Sequence, residues 1–336
     1  MSATVSPEQI LKELSQLWAD SGKQGQAEGG TGVLRACSMT LLVLAEAGED
    51  LQGLGETVAA LMPEHPARTI VVRLSGAGER ALTERVYSQC WMPFGQRRQV
   101  CCEQVEITAS DAALPDLLPV VLPLAVPDLP LILWCRSVRL LGMREFREIA
   151  AMAGKIVLDS GAASDPAGAL ARAKAVAAGG AILGDLAWTR LTRWREMLAQ
   201  LFENQRNLAR LVEVSAVDVE WGGIHAVSAW YLGAWIADSL ASVGVNPKLS
   251  VRRAANEEDT LRVRLTGDGV AAELGRQEDR MVVTLDGASQ CTNLPQPTDY
   301  LLMREELGII RRDPIFERAL DSAARLANPA GNGVEK

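Results

Sequence analysis

Short apolar runs alternate with amphipathic segments through the first half of the chain. The runs that fit buried strands are CSMTLLVLA, RTIVVRL, LPLILWC and KIVLD, and the intervening segments that fit helices include GLGETVAALMPEH and REFREIAAMAG. Apolar strands separated by helices are typical of a mainly parallel α/β sheet with helices on its faces. Two successive strand-like segments, ALTERVYSQCW and RQVCCEQVEI, interrupt this alternation of strands and helices, so we predict that part of the sheet is antiparallel.

The pattern changes in the second half. DLAWTRLTRWREMLAQLFEN has Asp185 in position to cap a helix, followed by apolar side chains at helical spacing. Beyond it, HAVSAWYLGAWIADSLASVG fits a buried helix. The segments that fit strands are ARLVEVSAVDVEW, KLSVRRA, DTLRVRLTG and MVVTLDG. Their alternation of apolar and polar residues predicts antiparallel strands with one wet face, and therefore an α+β domain.

The two ends of the chain differ from both halves. Residues 6–18 have a Ser cap, a Pro at the first helical position and apolar residues at helical spacing, which predicts an amphipathic helix. Residues 21–32 contain five glycines and no large apolar side chain, which predicts a mobile linker. The expected organisation is a helix and linker (1–32), an α/β domain (33–180), an α+β domain (181–327) and a disordered tail (328–336).

Composition narrows the class of protein. The chain has 336 residues, of which 48% are hydrophobic and 23% charged, as in globular proteins. A net charge of −8 argues against nucleic acid or an acidic membrane surface as a partner. The most apolar stretch, residues 117–135, contains four prolines and an Asp, so we predict a buried loop and strand, not a membrane span. The start of the chain does not resemble a secretory signal, and we expect a cytoplasmic location.

Three of the six cysteines lie close together, at Cys90, Cys101 and Cys102. Their spacing and the presence of only two histidines do not fit a closed zinc site, so no metal is predicted. Successive side chains of a strand point to opposite faces, so the Cys101 and Cys102 thiols should diverge. Buried unreactive thiols are the simpler expectation, but either cysteine could meet Cys90 across a hairpin, which leaves these three as candidate redox residues.

Enzyme chemistry has only weak support. Residues 76–81, GAGERA, follow a predicted strand and have the glycine spacing of a nucleotide-binding loop. The segment after them alternates like a strand, whereas pyrophosphate binding requires a helix there. His65 and His225 have no identifiable catalytic partner and are interpreted as structural residues. We predict no catalytic set and no cofactor, and the alternative is an enzyme that binds a nucleotide or sugar phosphate at the 76–81 turn.

A series of motifs then resembles a known family. The motifs are RACSMTLLVLA, HPARTIVV, CW followed by CCEQVEI, LPLAVPDLPLILWCR, KIVLDS and DLAWTRLTRWRE. They occur in the order found in the glucose-6-phosphate dehydrogenase assembly proteins known as OpcA, over about residues 33–310. The chain also lacks the segment with Asp-His-Tyr followed by Gly-Lys that marks the dehydrogenase itself.

The resemblance implies a non-catalytic partner that promotes assembly and allosteric activation of glucose-6-phosphate dehydrogenase, the entry to the oxidative pentose phosphate pathway. In photosynthetic members the family is linked to thioredoxin-dependent control, which adds an expectation of redox sensitivity. Tryptophan and arginine are enriched at binding hot spots. The contact candidates are therefore Arg97, Arg98, Trp188, Arg190, Arg193 and Trp194.

Overall fold

A computed structural model describes residues 5–27, 33–92, 99–203, 205–255 and 260–328 of the chain. It divides into two compact units. The first unit contains Met1–Leu158 and Gly179–Leu183, and the second contains Asp159–Ala178 and Gly184–Lys336. Among the described helices, none combines the length and the apolar character needed to cross a bilayer.

One sheet of eight strands organises the first unit. Its strands are β1 (Val33–Arg35), β2 (Met39–Glu46), β3 (Ala67–Leu74), β4 (Leu82–Trp91), β5 (Gln99–Ala109), β6 (Leu131–Cys135), β7 (Lys155–Leu158) and β8 (Ile182–Asp185). The helices are α1 (Pro7–Ala27), α2 (Leu51–Leu61), α3 (Leu114–Leu124) and α4 (Arg144–Ala150). The spatial order is β1-β5-β3-β2-β6-β7-β8, and β4 pairs with β5.

The central strands of this sheet are parallel and buried on both faces. β2 pairs in parallel with β3 and β6, β3 with β5, and β6 with β7. All but the last residue of β2 are buried, as expected for a strand covered by helices on both sides. β4 and β5 form the antiparallel hairpin, from Leu82 opposite Ala109 to Trp91 opposite Val100. The predicted mixed, mainly parallel sheet is confirmed.

The proline-rich stretch folds differently from the prediction. Most of the expected buried loop is the helix α3, which contains Pro119 and Pro123, and only the end of the stretch is the strand β6. Pro115, Pro119 and Pro123 lie four residues apart on the exposed face. The carbonyl groups that they leave without a helical partner therefore face water, while the opposite face of α3 is buried.

The N-terminal helix is longer than predicted. α1 continues to Ala27, through seven of the twelve residues that were expected to form a linker, and residues 28–32 lie outside the described residues. Adding a residue to an existing helix requires fixing only one more residue for each new hydrogen bond, so a helix can extend into a weakly helical sequence. The predicted disordered tail also lies outside the described residues, except for Asn328.

A second sheet of six strands organises the second unit. Its strands are β9 (Val214–Trp221), β10 (Lys248–Arg253), β11 (Leu261–Gly267), β12 (Val270–Gln277), β13 (Arg280–Leu285) and β14 (Ala288–Asn293), in the spatial order β10-β9-β11-β12-β13-β14. The helices are α5 (Pro166–Ala177), α6 (Leu186–Thr189), α7 (Thr192–Leu201), α8 (Gln205–Ala209), α9 (Ala226–Ala241), α10 (Asp299–Gly308) and α11 (Pro314–Ala327). The strand pairs are antiparallel except for β10 and β9, which are parallel because α9 connects them.

The helix α9 packs closely against this sheet. A Cβ atom on Gly233 would lie 3.1 Å from Val251, 3.2 Å from Leu249 and 3.4 Å from Val219. Glycine at this position therefore lets the helix backbone approach β9 and β10. α5 packs against α11 and α9, so residues 159–178 cluster with the second unit, whereas the sequence-based boundary at residue 181 placed them in the first domain.

Candidate functional site

The cysteine-rich hairpin contains a disulfide bond. Cys90 on β4 lies directly opposite Cys101 on β5, with their Cα atoms 4.0 Å apart, and the two are bonded. Opposite positions on paired strands bring side chains close enough for such a bond. The expectation of unreactive packing thiols is therefore wrong for this pair, because strand register, which residue spacing alone does not fix, aligns Cys90 with Cys101.

Cys102 is separate from this bond, as strand alternation predicted. It is buried opposite Gln89, and its thiol donates to the carbonyl oxygen of Ala36 at 3.3 Å. Burial raises the pKa of the Cys102 thiol to about 11. Since the thiolate is the reactive form, the Cys102 thiol is expected to be unreactive near neutral pH.

The next residue of β5 forms a buried polar centre that sequence reasoning missed. Glu103 is 3% exposed and accepts a hydrogen bond from the Trp18 indole N–H at 2.6 Å. Its carboxylate also pairs with Arg35 at 2.7 Å and with Arg68 at 2.5 Å. The sequence does contain a signal for this centre. Strand alternation puts Glu103 on the same face as Cys101 and buried aliphatic residues, and a carboxylate buried there requires hydrogen-bonding or charged partners.

In the second unit, the Trp-Thr-Arg segment begins at a buried carboxylate. Asp185 caps α6 by accepting the backbone N–H of Ala187 at 3.0 Å, as the sequence predicted. The same oxygen accepts the N–H of Ser160 at 3.1 Å, and the other oxygen accepts the Tyr231 hydroxyl at 2.8 Å. Full burial nevertheless raises the pKa of Asp185 to about 6, because these donors only partly replace water.

A second buried carboxylate lies nearby in the same unit. The Thr189 hydroxyl lies 3.0 Å from the Asp185 carbonyl oxygen and 2.6 Å from a carboxylate oxygen of Glu306, which is 2% exposed. A Cβ atom on Gly184 would lie 2.1 Å from the other Glu306 oxygen. Glycine at position 184 therefore makes room for this carboxylate.

Trp188 is the centre of an aromatic cluster. Its ring lies 5.9 Å from that of Tyr231 and 5.8 Å from that of Phe316, measured between centroids. The Arg195 guanidinium lies 3.6 Å from the centroid of Trp188, and Arg195 also donates to the Trp188 carbonyl oxygen at 2.9 Å. Burial lowers the pKa of Arg195 to about 10. These contacts fix the short helix α6 within its unit.

The predicted contact residues are therefore not equally accessible. Trp188 and Trp194 are buried, at 4% and 5% exposure. Arg190 makes two hydrogen bonds to Asp159, at 2.7 and 2.6 Å. The Arg193 side chain is 72% exposed and pairs only with Glu196 on its own helix among the ion pairs described. Arg97 and Arg98 lie outside the described residues.

The weaker enzyme candidates each have a local structural setting. The 76–81 turn leads into the strand β4, not a helix, and Arg80 pairs with Asp116. His65 follows α2 and donates its backbone N–H to the Leu61 carbonyl oxygen at 2.8 Å. His225 is the buried residue that precedes α9. The prediction that a strand, and not a helix, follows the 76–81 turn is confirmed.

Two family models match the chain, one over each half. The model that describes the N-terminal domain of a glucose-6-phosphate dehydrogenase subunit matches residues 58–175. The model that describes the C-terminal domain of the same protein matches residues 181–320. Together they account for most of the chain.

Curated relatives carry the name OxPP cycle protein OpcA. A protein of Synechococcus elongatus is 27% identical over 240 residues, which is 70% of this chain and 50% of that protein. A protein of Synechocystis sp. is 25% identical over 197 residues, which is 57% of this chain and 40% of that protein. The chain thus spans half or less of the length of these relatives.

Solved structures also resemble the chain at low identity. The structure of biliverdin reductase from Synechocystis sp. covers 86% of this chain and 98% of its own, with 11% identity and a TM-score of 0.47.

Proposed function

Because this chain belongs to the OpcA family of glucose-6-phosphate dehydrogenase assembly proteins, we propose that it is a non-catalytic partner that assembles and activates glucose-6-phosphate dehydrogenase. The observation that carries the proposal is the match of both family models, in consecutive order, to residues 58–175 and 181–320. The chain would act in the oxidative pentose phosphate pathway, to which the names of its relatives assign them.

A non-catalytic role agrees with how the buried acidic groups are used. Asp185 is bonded to Tyr231 and to two backbone N–H groups, and Glu306 is bonded to Thr189. Groups that serve as a general acid or base must reach a substrate, and these carboxylates are at most 2% exposed. Their contacts suit a rigid support for a binding surface better than a reaction centre.

Activation requires the partner to change state. A protein that raises the activity of an enzyme must bind the active or assembled form more tightly than the inactive form. We propose one contact at Arg193, because its guanidinium is the exposed positive charge on α7 and the buried Trp188 and Trp194 hold that helix in place. Arginine at the rim of an interface steers association with acidic surfaces.

Redox sensitivity would act through the bond between Cys90 and Cys101. It joins β4 to β5, and α1 packs against β4 in the same unit. Reduction would remove the covalent link and leave the hairpin held by its backbone ladder. The structure of this hairpin, and with it the affinity for the dehydrogenase, would then depend on the thiol-disulfide balance.

The test is to mix the purified chain with the dehydrogenase of the same organism. Mass photometry should show a heavier assembly than the dehydrogenase alone, and initial rates should show a lower KM for glucose-6-phosphate or a higher kcat. Calorimetry and rate assays of the chain alone with NADP, ATP and glucose-6-phosphate should show no turnover. An unchanged assembly mass together with unchanged kinetics would contradict the proposal, and turnover by the chain alone would support the enzyme alternative.

A further inference from the structure

The first unit has the strand order of a dinucleotide-binding sheet. If β2 is counted as the first strand, then β5-β3-β2-β6-β7-β8 follows the order 3-2-1-4-5-6 of the doubly wound fold. The order reverses between β2 and β6, and ligands of such sheets bind at the carboxyl ends of the strands on either side of that point. The pyrophosphate of a dinucleotide contacts the N-terminus of the helix after the first strand, which is α2 here.

The loop between β2 and α2 is unsuited to pyrophosphate. It reads AGED and lacks the G-x-G-x-x-G pattern that brings a ligand close to the backbone. Asp50 caps α2 by accepting the N–H of Gly53 at 3.0 Å. Glu49 accepts the N–H of Glu46 at 2.8 Å. In this loop, carboxylates of the chain itself accept hydrogen bonds from backbone N–H groups. In a dinucleotide-binding loop, backbone N–H groups of this kind bind the phosphate oxygens of the ligand.

Gly53 supports this interpretation. A Cβ atom at this position would lie 2.4 Å from a carboxylate oxygen of Asp50. In a dinucleotide-binding loop, glycine gives the ligand pyrophosphate close access to the backbone. In this loop the absence of a side chain at position 53 gives the same access to the chain's own carboxylate.

The residues after β6 complete a charge network. Arg136 donates to Glu49 at 2.5 Å, and the Ser137 hydroxyl donates to Glu46. Arg139 makes two bonds of 3.0 Å to Asp111 and approaches Glu46 at 3.2 Å. Hydrogen bonds to Glu46 and Asp111 raise the pKa of Arg139. Both guanidinium groups are thus held by carboxylates that lie at or just after the carboxyl ends of β2 and β5.

We infer that this switch-point network excludes dinucleotides, because the carboxylates of Glu46, Glu49 and Asp50 take the donors and the charge balance that pyrophosphate would need. Three carboxylates, those of Glu46, Glu49 and Asp111, pair with two guanidinium groups, and Asp50 adds a fourth negative charge at the start of α2, so a further dianion would meet net negative charge. The first unit therefore has the strand order of a dinucleotide-binding fold but does not bind a dinucleotide. This inference stands on the first unit alone and is independent of the proposed partner.

Ligand titration of the intact wild-type chain tests the exclusion. NADP⁺, NADPH and NAD⁺ added to about 1 mM should give no saturable heat and no rise in the thermal midpoint, since even millimolar affinity would be visible there. Saturable binding of any of the three, competed by inorganic pyrophosphate, would overturn the inference.

A double variant tests the cause. Glu49→Gln with Asp50→Ser keeps the side-chain size at 49 and a helix cap at 50, but removes two negative charges. We expect at least about a tenfold tighter Kd for inorganic pyrophosphate than in the wild type, seen as a ligand-dependent rise in thermal midpoint. Glu56→Gln, an exposed acid on the same helix, is the control and should gain no binding.

The double variant also has a result that overturns the assignment. If it folds with a wild-type circular dichroism spectrum and binds pyrophosphate no better than the wild type, these carboxylates are not what excludes the ligand. An equal gain in Glu56→Gln would show that net charge, not the loop, governs binding, and would overturn the assignment as well.

Discussion

At the residue scale, Asp185 shows how a locally predicted role can acquire a distant partner. The sequence identifies it as a helix cap, and the Ala187 N–H confirms this. Tyr231, which is 46 residues away along the chain, supplies the second contact, and burial raises the pKa of the Asp185 carboxyl to about 6. A cap that is solvated in an isolated helix is thus a buried acid in the fold, and its protonation is coupled to stability.

This coupling predicts a pH dependence. The folded pKa of Asp185, about 6, lies above that of a free carboxyl, so the folded state binds the extra proton between pH 4 and 6. The stability that Asp185 contributes by binding this proton is present at low pH and is lost as the pH rises through about 6. The Asp185→Asn variant lacks this titrating proton, so its free energy of unfolding should increase relative to that of the wild type by about 2 kcal/mol from pH 4.5 to 7.5.

Urea unfolding of both proteins across this pH range measures the difference. Tyr231→Phe is the companion variant, and it should move the transition of the Asp185 carboxyl to higher pH because it removes a donor to the carboxylate. A difference between Asp185→Asn and the wild type that does not change with pH would show that the carboxyl has an ordinary pKa.

At the element scale, β5 carries three successive residues with separate roles. Cys101 is bonded to Cys90, Cys102 is a buried thiol, and Glu103 binds the two arginines and Trp18. Alternation along the strand separates the two cysteines, as predicted. The partners of each side chain come from other elements, because a strand determines only the face to which a residue points.

Glu103 should be important for the stability of the first unit. Glu103→Gln leaves the Arg68 guanidinium buried without a charged partner, which should lower the free energy of unfolding by about 3 kcal/mol. Trp18→Phe removes the hydrogen bond from α1 while keeping an aromatic ring, and should cost about 1 kcal/mol. Chemical denaturation measures both, and equal losses in the two variants would contradict a central role for the Arg68 pair.

The disulfide predicts a selective response to reduction. Dithiothreitol should lower the stability of the wild type by about 2–3 kcal/mol, because the bond restricts an unfolded loop of roughly a dozen residues. Cys90→Ser should show this loss without reductant and no further change with it. Cys102→Ser should retain the full response, which distinguishes the bonded pair from the adjacent buried thiol. The measurement is a denaturation midpoint with and without reductant.

Cys291 provides the control for this experiment. It is an exposed thiol on β14, so Cys291→Ser should respond to reductant as the wild type does. A wild-type protein whose midpoint is insensitive to dithiothreitol, with both thiols shown to be free by alkylation and mass spectrometry afterwards, would contradict a stabilising bond.

At the scale of the whole molecule, each half of the chain has its own core and its own family match. The first unit is built on the parallel sheet and the second on the mixed six-stranded sheet. The exposed arginine that we propose as a contact, Arg193, belongs to the second unit. Association with the dehydrogenase is therefore expected to depend on Arg193 more than on Arg144, a similarly exposed arginine of the first unit that is not among the predicted contact residues.

A matched pair of charge reversals tests this expectation. Arg193 and Arg144 are both highly exposed, at 72% and 77%, and each pairs at 2.8 Å with a Glu on its own helix. Arg193→Glu should weaken binding to glucose-6-phosphate dehydrogenase by about tenfold, mainly through slower association at low salt. Arg144→Glu should leave it unchanged. Surface plasmon resonance measures both, and equal effects would place the contact elsewhere.

Local patterns in the sequence were sufficient to predict the class of fold and most of the helices and strands. Apolar runs located β2, β3, β6 and β7, because a strand buried on both faces must be apolar throughout. The prolines at 119 and 123 obscured α3, since only the tertiary structure turns their face to water. The strands β1, β8, β12 and β14 were also missed, and β14 is exposed along its whole length, so it has no apolar pattern to detect.

The sequence by itself determined the alternation of elements, the divergence of Cys101 from Cys102 and the cap at Asp185, because each depends on the geometry of a few neighbouring residues. Only the tertiary structure decided which cysteine meets Cys90, that Trp188 is buried while Arg193 is exposed, and that Glu46 and Glu49 lie beside Arg136 and Arg139. These outcomes depend on strand register and sheet order. Both are set by packing between residues far apart in the chain, which local patterns do not encode.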